Sequence, residues 1–166
     1  MRFLVFALAI AAVGCSSAGG SATPTTHGTS GHPAPISARV VLPARTMTAG
    51  SSMSGRVVVE NDTGRAIHTS GCLSLFQVAL VSSSYHPSVS WFTCLQRFVI
   101  PTGRSSYPVT VAATYSQCGP SKPSVSRCLP GGGMPPLPPG RYRAVLFQFR
   151  HLVPVPPPIA IRVTGR

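Results

Sequence analysis

From residue 37 onward, apolar and polar residues alternate with a period of two, which is the pattern of half-buried β-strands. About seven to eight short segments have this pattern, and turn residues separate them. The positions expected to face the core are Val40, Leu42, Val57, Val59, Val109, Val111, Ala113, Tyr142, Ala144, Leu146, Ile159, Ile161 and Val163. Because short strands at this spacing pack most readily as two facing sheets, the sequence predicts an all-β sandwich.

The segments on either side of residues 61–64 are expected to pair with each other. Residues 61–64 read Asn-Asp-Thr-Gly, and these residue types tolerate the backbone geometry of a tight turn. The sequence therefore predicts a hairpin between residues 56–60 and residues 66–69. Residues 75–81 are a more continuous apolar run, which predicts a strand in the centre of a sheet.

Residues 139–144 (Pro-Gly-Arg-Tyr-Arg-Ala) resemble the tyrosine corner of immunoglobulin-like sandwiches. In that family the tyrosine hydroxyl bonds back to the upstream backbone, and the second core cysteine of antibody domains follows two residues later. Ala144 has that position here, so the antibody-type disulfide between the sheets is not expected. The resemblance implies an immunoglobulin-like antiparallel β-sandwich, in which Arg141 and Arg143 point outward from the strand that carries Tyr142.

The beginning of the chain predicts export. Arg2 makes a short basic start, and residues 3–13 are an uninterrupted apolar run. This run has the length of a signal-peptide core and is too short for a membrane-spanning helix, which needs roughly 20 residues. Residues 12–15 (Ala-Val-Gly-Cys) resemble the bacterial lipobox, although that family usually has leucine at the position of Ala12. The resemblance implies a lipid on Cys15, and the alternative is ordinary secretion with cleavage a few residues later.

Three segments follow from these patterns. Residues 1–14 are predicted to be a lipoprotein signal peptide, residues 15–36 a disordered tether, and residues 37–166 the sandwich domain. The tether consists mostly of Ser, Thr, Gly, Ala and Pro, which cannot bury enough apolar surface to offset the entropy of ordering.

In its overall pattern the chain resembles the small lipoproteins of mycobacteria and related actinobacteria. Residues 57–64, 106–111 and 137–142 carry this resemblance, together with the leader and the tether. It implies a lipid-anchored protein on the extracytoplasmic face of the cell membrane. It transfers no functional site, because these segments are typical of the fold rather than of an activity.

Charge narrows the choice of partners. The chain has a formal net charge of +12, and Glu60 and Asp62 are its two acidic residues. Such a protein is expected to be drawn to anionic lipid, an anionic glycan or an envelope protein, and the alternative is a solvated basic surface without a specific partner. Nucleic acid is not expected, because the arginines are dispersed and no nucleic-acid motif is present. The arginines predicted to make anionic contacts are Arg97, Arg141, Arg143 and Arg150.

Four cysteines follow Cys15, and an even number in an exported chain predicts two disulfides. Three pairings are open for four cysteines. Proximity in sequence favours Cys72 with Cys94 and Cys118 with Cys128. A metal site is not predicted, because the chain has no Cys-x-x-Cys motif and no cluster of cysteine and histidine.

No constellation for catalysis or cofactor binding is recognised. Two carboxylates leave little for acid–base chemistry, and a Gly-x-Ser-x-Gly nucleophile motif is absent from the sequence. The sequence therefore predicts a non-catalytic binding or interaction module without a cofactor. The alternative is a periplasmic protease inhibitor or an accessory subunit of an envelope enzyme, which would use the predicted loops at residues 82–90 and 117–139.

Overall fold

The computed structural model describes residues 35–72, 74–90, 96–119 and 126–165. These residues form β-strands and one short 3₁₀ turn at Pro130–Gly132, which confirms the prediction of an all-β fold. The strands are β1 (Ile36–Val41), β2 (Thr46–Thr48), β3 (Ser52–Asn61), β4 (Ile67–Gly71), β5 (Phe76–Val81), β6 (Gln96–Ile100), β7 (Gly103–Ala112), β8 (Gly140–Gln148) and β9 (Ile159–Thr164).

The described strands form three sheets. One sheet has the order β1-β3-β7, a second has the order β2-β9-β8-β5, and β4 pairs with β6 in a two-stranded ribbon. Strand β2 runs parallel to β9, and the other pairs are antiparallel. The architecture is therefore that of a largely antiparallel sandwich, as the alternating pattern predicts.

One hydrophobic cluster joins the three-stranded and the four-stranded sheets. The ring of Phe76 on β5 meets the ring of Tyr107 on β7 edge to face, with the centroids 5.1 Å apart. The sequence-predicted core positions are buried in this cluster or packed against it. They alternate with exposed residues because successive side chains of an extended strand point to opposite faces. Val58 is also buried on the opposite face of β3, with 2% of its surface exposed.

The predicted hairpin between residues 56–60 and 66–69 is wrong. Strand β3 pairs with β1 on one edge and with β7 on the other, whereas β4 pairs with β6. The pairing of β3 with β7 extends over ten residues of each strand, from Ser52↔Ala112 to Asn61↔Gly103. A strand of only five residues such as β4 offers fewer cross-strand pairs, and these pairs are what stabilise a sheet. The turn is real, but it leads the chain into the ribbon.

The predicted central position of residues 75–81 is also wrong. Strand β5 stands at one end of the order of the four-stranded sheet, beside β8. Its inward residues Phe76, Val78 and Leu80 are nevertheless buried in the core cluster. A continuous apolar run indicates that a strand is buried. The side chains of β5 are buried by the facing sheet and not by neighbouring strands on both edges.

The tyrosine corner is present. The hydroxyl of Tyr142 donates a hydrogen bond to the carbonyl oxygen of Pro138 at 2.9 Å. Arg141 and Arg143 are exposed on either side of the buried tyrosine, as predicted. Burial raises the pKa of Tyr142 above its ordinary value of 10.0, and the nearby Tyr115 and Tyr85 raise it further. The phenol therefore stays neutral and keeps its hydroxyl proton as a donor.

The cysteine prediction is confirmed in part. Cys118 and Cys128 form a disulfide, with their Cα atoms 4.9 Å apart. Cys72 is also disulfide-bonded. Its expected partner, Cys94, lies outside the described residues, so the pairing of Cys72 with Cys94 stays a prediction.

The amino-terminal predictions fall on residues that the structure does not describe. Cys15, the signal peptide of residues 1–14 and nearly all of the tether of residues 15–36 lie outside the described ranges. In the part that is described, the structure contains no helix with the length and apolar character needed to cross a bilayer.

Candidate functional site

Three exposed arginines lie together on the outer face of the four-stranded sheet. In β8, Tyr142 points into the core, so Arg141 and Arg143 point outward two residues apart. The register places Arg141 directly opposite Arg162 of β9, which is exposed as well. Residues opposite each other in an antiparallel pair have Cβ atoms about 5 Å apart. We call Arg141, Arg143 and Arg162 the arginine face.

The arginine face has no anionic partner among the described residues. Like charges directly opposite each other destabilise a sheet, so this arrangement costs free energy while it is unoccupied. The two side-chain carboxylates of the whole chain are Glu60 and Asp62. Glu60 and Arg104 both lie on the three-stranded sheet, with 3.5 Å between Glu60 Oε1 and Arg104 Nε. Asp62 lies just after the end of β3.

Arg162 belongs to this face but is not among the arginines that the sequence singles out. Its outward direction is readable from the sequence, because Ile161 and Val163 on either side point inward. The sequence does not predict that Arg162 lies beside Arg141, because only the pairing register of β8 and β9 brings the two residues together.

The other two predicted arginines lie in a different place, a cleft of about 500 Å³ beside the two-stranded ribbon. The four predicted arginines therefore do not form one set in the structure: two belong to the arginine face and two line this cleft. We call it the basic cleft, and the residues that line it are His68, Thr69, Ser70, Arg97, Phe98 and Arg150.

The ribbon that carries the basic cleft is held in place by Asn61. This side chain is completely buried. Its amide nitrogen donates to the carbonyl oxygens of Arg65 at 2.9 Å, Pro101 at 3.1 Å and Ile100 at 3.4 Å. Its amide oxygen accepts from the backbone nitrogen of Thr63 at 3.3 Å and from the Thr63 hydroxyl at 2.6 Å. One residue thus ties the turn before β4 to the turn after β6.

The sequence does not reveal this role for Asn61. Asn61-Asp62-Thr63 has the form of an N-glycosylation sequon as well as that of a turn. In the folded domain the amide nitrogen of Asn61 is buried and already makes three hydrogen bonds, so it is not accessible to a glycan. The turn interpretation is the one that the structure confirms.

One of the two loops expected to serve an inhibitor, residues 82–90, contacts Tyr115 and Ser116, which lie just before the other loop at residues 117–139. The backbone nitrogen of Ser88 donates to the hydroxyl of Ser116 at 2.9 Å. The hydroxyl of Tyr85 accepts from the backbone nitrogen of Ser116 at 2.8 Å. The rings of Tyr85 and Tyr115 pack edge to face with the centroids 5.2 Å apart. Residues 82–90 are therefore fastened to the start of the segment that carries the Cys118–Cys128 disulfide.

No group of three or more His, Cys, Asp or Glu side chains suited to a metal ion occurs within residues 35–72, 74–90, 96–119 and 126–165. The described sites are basic and rich in hydrogen-bond donors. Arginine donates five N–H groups in a fixed fork that fits carboxylate and phosphate oxygens, so both sites are suited to anions.

Comparison with known proteins adds little to this geometry. Neither a protein-family model nor a curated protein sequence matches the chain. Among solved structures, the chain is similar to a β-glucosidase from Listeria innocua in complex with gluconolactone, with 15% sequence identity and a TM-score of 0.45. The match covers 78% of this chain and 16% of that chain, so this protein spans only a small part of the glucosidase. A likeness of this extent assigns no activity.

Proposed function

We propose that the protein is exported, is anchored by a lipid on Cys15 at the extracytoplasmic face of the cell membrane, and acts there as a non-catalytic binding module for an anionic surface. The observation that carries this proposal is the arginine face. Three guanidinium groups stand in neighbouring positions of a rigid sheet, and no carboxylate of the described chain neutralises them.

The energetics of the arginine face favour an extended anionic partner. Repulsion between Arg141 and Arg162 is unrelieved in the free protein, and an anion placed over them removes it. An arginine close to an anionic membrane surface contributes about 1 kcal/mol to attachment. The outer face of a sheet is broad, so it suits a lipid surface, on which anionic headgroups are closely spaced, better than a single small ligand.

The tether supports the same partner. The sequence-predicted tether between Cys15 and β1 has about 20 residues, and a flexible chain of that length has a root-mean-square length of roughly 25 Å. This length keeps the domain close to the bilayer that holds the lipid, so weak contacts become effective through a high local concentration. An anionic lipid surface is therefore the partner that we assign to the arginine face, and a glycan or an acidic protein is the competing outcome.

Vesicle binding tests the arginine face. The mature chain with Cys15→Ala is expected to bind phosphatidylglycerol vesicles in a salt-sensitive manner. Replacing Arg141, Arg143 and Arg162 together by glutamine should weaken this binding roughly 100-fold, because each arginine contributes about 1 kcal/mol. Co-sedimentation with vesicles measures the effect.

A matched control removes the same charge elsewhere. Arg39, Arg56 and Arg65 are exposed and lie on or beside the three-stranded sheet. Replacing these three by glutamine should weaken vesicle binding only severalfold. Equal losses in both triple variants would show that net charge alone is responsible and would refute a dedicated face. If the wild-type chain does not bind vesicles but is retained by an acidic glycan or protein, a lipid surface is not its partner.

The anchor is tested by mass. In a bacterial host that processes lipoproteins, the mature protein is expected to begin at Cys15 and to carry a diacylglycerol group, and the Cys15→Ala variant should lack it. Intact-mass spectrometry of both proteins distinguishes these states. A wild-type protein that begins a few residues after Cys15, without lipid, would establish ordinary secretion instead.

A protease inhibitor or accessory subunit is the second candidate, and one observation favours it. The loop of residues 82–90 is joined to Ser116 by two hydrogen bonds, close to the disulfide of Cys118 and Cys128. Loops positioned in this way on a rigid scaffold are common recognition elements. Capture of one envelope enzyme at a one-to-one ratio after crosslinking, with no effect of the arginine-face variant, would favour this candidate.

A further inference from the structure

The basic cleft differs from the arginine face in shape and composition. It is a concave site of about 500 Å³, within the range of roughly 300–1,000 Å³ that is typical of small-molecule pockets. Its two arginines, Arg97 and Arg150, belong to no ion pair among the described residues. We propose that this cleft binds the phosphate group of a phosphorylated ligand between Arg97 and Arg150.

The cleft offers donors in the number that a phosphate group needs. Arg97 and Arg150 each present a guanidinium fork, and His68, Thr69 and Ser70 also line the cleft, with Ser70 offering a hydroxyl on the face of Arg97. One arginine fork already satisfies the two oxygens of a carboxylate. A terminal phosphate has three oxygens and up to two negative charges, so it uses both forks and a hydroxyl, and this selects phosphate over carboxylate.

The ribbon positions one half of the site. In the pairing of β4 with β6, Ser70 lies directly opposite Arg97. His68 is two residues from Ser70 in the same strand, so both point to the same face as Arg97. The hydrogen bonds of Asn61 fix the turns at the other end of the ribbon, and they therefore hold this arrangement against the rest of the domain.

Hydrogen bonds also hold the backbone that carries the other half of the site. The side chain of Gln148 accepts from the backbone nitrogens of Leu152 and Val153 at 3.0 and 3.1 Å, and donates to the Val153 carbonyl at 2.7 Å. The nitrogen of Leu152 also donates to the carbonyl oxygen of Arg150 at 2.7 Å. The guanidinium of Arg150 lies 5.8 Å from the centre of the Phe149 ring. A preorganised arginine loses less entropy when it binds an anion.

Phe98 supplies an apolar wall of the cleft. A site with two cations and one aromatic side chain suits a ligand that has an apolar or neutral part next to its phosphate. The phosphate can belong to a soluble metabolite or to the headgroup of a lipid, since both present the same chemistry to the two arginines. The basic cleft contains none of the residues of the arginine face, so phosphate binding in the cleft can be tested independently of membrane attachment by that face.

Titration with two phosphate sources tests the proposal. Glycerol 3-phosphate is the soluble probe, and vesicles that contain phosphatidic acid are the lipid probe, with the mature Cys15→Ala chain as the protein. Calorimetry is expected to show saturable binding of at least one probe. Arg97→Gln or Arg150→Gln should weaken it at least 10-fold, and the double variant at least 100-fold. Ser70→Ala should weaken it about 3-fold, because it removes one neutral donor.

The control variant is Arg39→Gln with Arg56→Gln, which loses the same charge outside both the cleft and the arginine face. Its affinity for glycerol 3-phosphate should remain within 2-fold of the wild type. Thermal unfolding of each variant should show a retained fold, because Arg97 and Arg150 are both exposed. Loss of affinity for only the soluble probe identifies a metabolite site, and loss for only the vesicles identifies a headgroup site. Absence of saturable binding to both probes, or equal losses in the control, would overturn the proposal.

Discussion

Replacing Asn61 by leucine is expected to lower the free energy of unfolding by about 3 kcal/mol. The leucine side chain fills a similar volume but leaves the carbonyl oxygens of Arg65, Ile100 and Pro101 without their donor. Leaving a buried polar group without a partner costs about 1–3 kcal/mol, and not all three carbonyls are equally buried. Urea denaturation at neutral pH measures this loss.

Asn61→Asp separates hydrogen bonding from packing. An aspartate of the same shape would direct a negative charge at the same carbonyl oxygens, and burial of an unpaired charge is costly. Protonation in acid removes the charge and restores one donor. Relative to the wild type, the aspartate variant should therefore be less destabilised at about pH 4 than at about pH 7. A leucine variant that loses under about 1 kcal/mol, or an aspartate variant without this pH dependence, would contradict the role of Asn61.

The Asn61 variants also test the two proposed binding sites. If this residue holds the ribbon, the leucine variant should lose affinity for the phosphate probe while its binding to phosphatidylglycerol vesicles is retained, provided that both are measured below the unfolding transition. The reason is that the arginine face lies on β8 and β9, whose pairing does not involve Asn61. Parallel losses at both sites would indicate general unfolding.

Replacing Phe76 by alanine is expected to lower the free energy of unfolding by about 4 kcal/mol. Phe76 has 2% of its surface exposed and contacts Tyr107 across the interface between the two larger sheets. Truncation of a buried phenylalanine typically costs about 3–5 kcal/mol, because the lost transfer free energy is added to that of the cavity. Equilibrium unfolding in urea, monitored by circular dichroism, gives the value.

Two further variants calibrate this effect. Phe76→Leu keeps most of the volume and should cost roughly 1.5 kcal/mol. Val155→Ala changes a side chain that is 56% exposed, and should change stability by no more than about 0.5 kcal/mol. A loss below about 1.5 kcal/mol for Phe76→Ala would show that this residue does not join the sheets.

Local pattern was sufficient for the strand faces. The alternation around Tyr142, Ala144 and Leu146 predicted which side chains are buried, because opposite directions of neighbouring side chains are a property of the extended backbone itself. The tyrosine corner was readable for a similar reason, since its hydrogen bond joins Tyr142 to Pro138, only four residues away.

Pairing between distant strands was not readable from such patterns. The turn at residues 61–64 was predicted correctly, but the partner of β3 was not. Strand β7 is distant in sequence and pairs with β3 over ten residues, more than the five residues of β4 could provide. Which arginines share a site also depends on contacts between segments that are distant in sequence. Arg141 meets Arg162 only through the β8–β9 register, and Arg97 shares a cleft with Arg150 only because the ribbon and the connection after β8 come together.

The sequence by itself determined the strand periodicity and the excess of positive charge, and it correctly favoured the disulfide of Cys118 with Cys128. The lipoprotein signal peptide of residues 1–14 stays a prediction. Tertiary structure alone decided which arginines become neighbours and that Asn61 is a buried link between two turns. The physical reason is the sequence separation over which each interaction acts. Side-chain direction and turn preference depend on adjacent residues, whereas register, cleft formation and the satisfaction of buried polar groups depend on contacts between segments far apart in the chain.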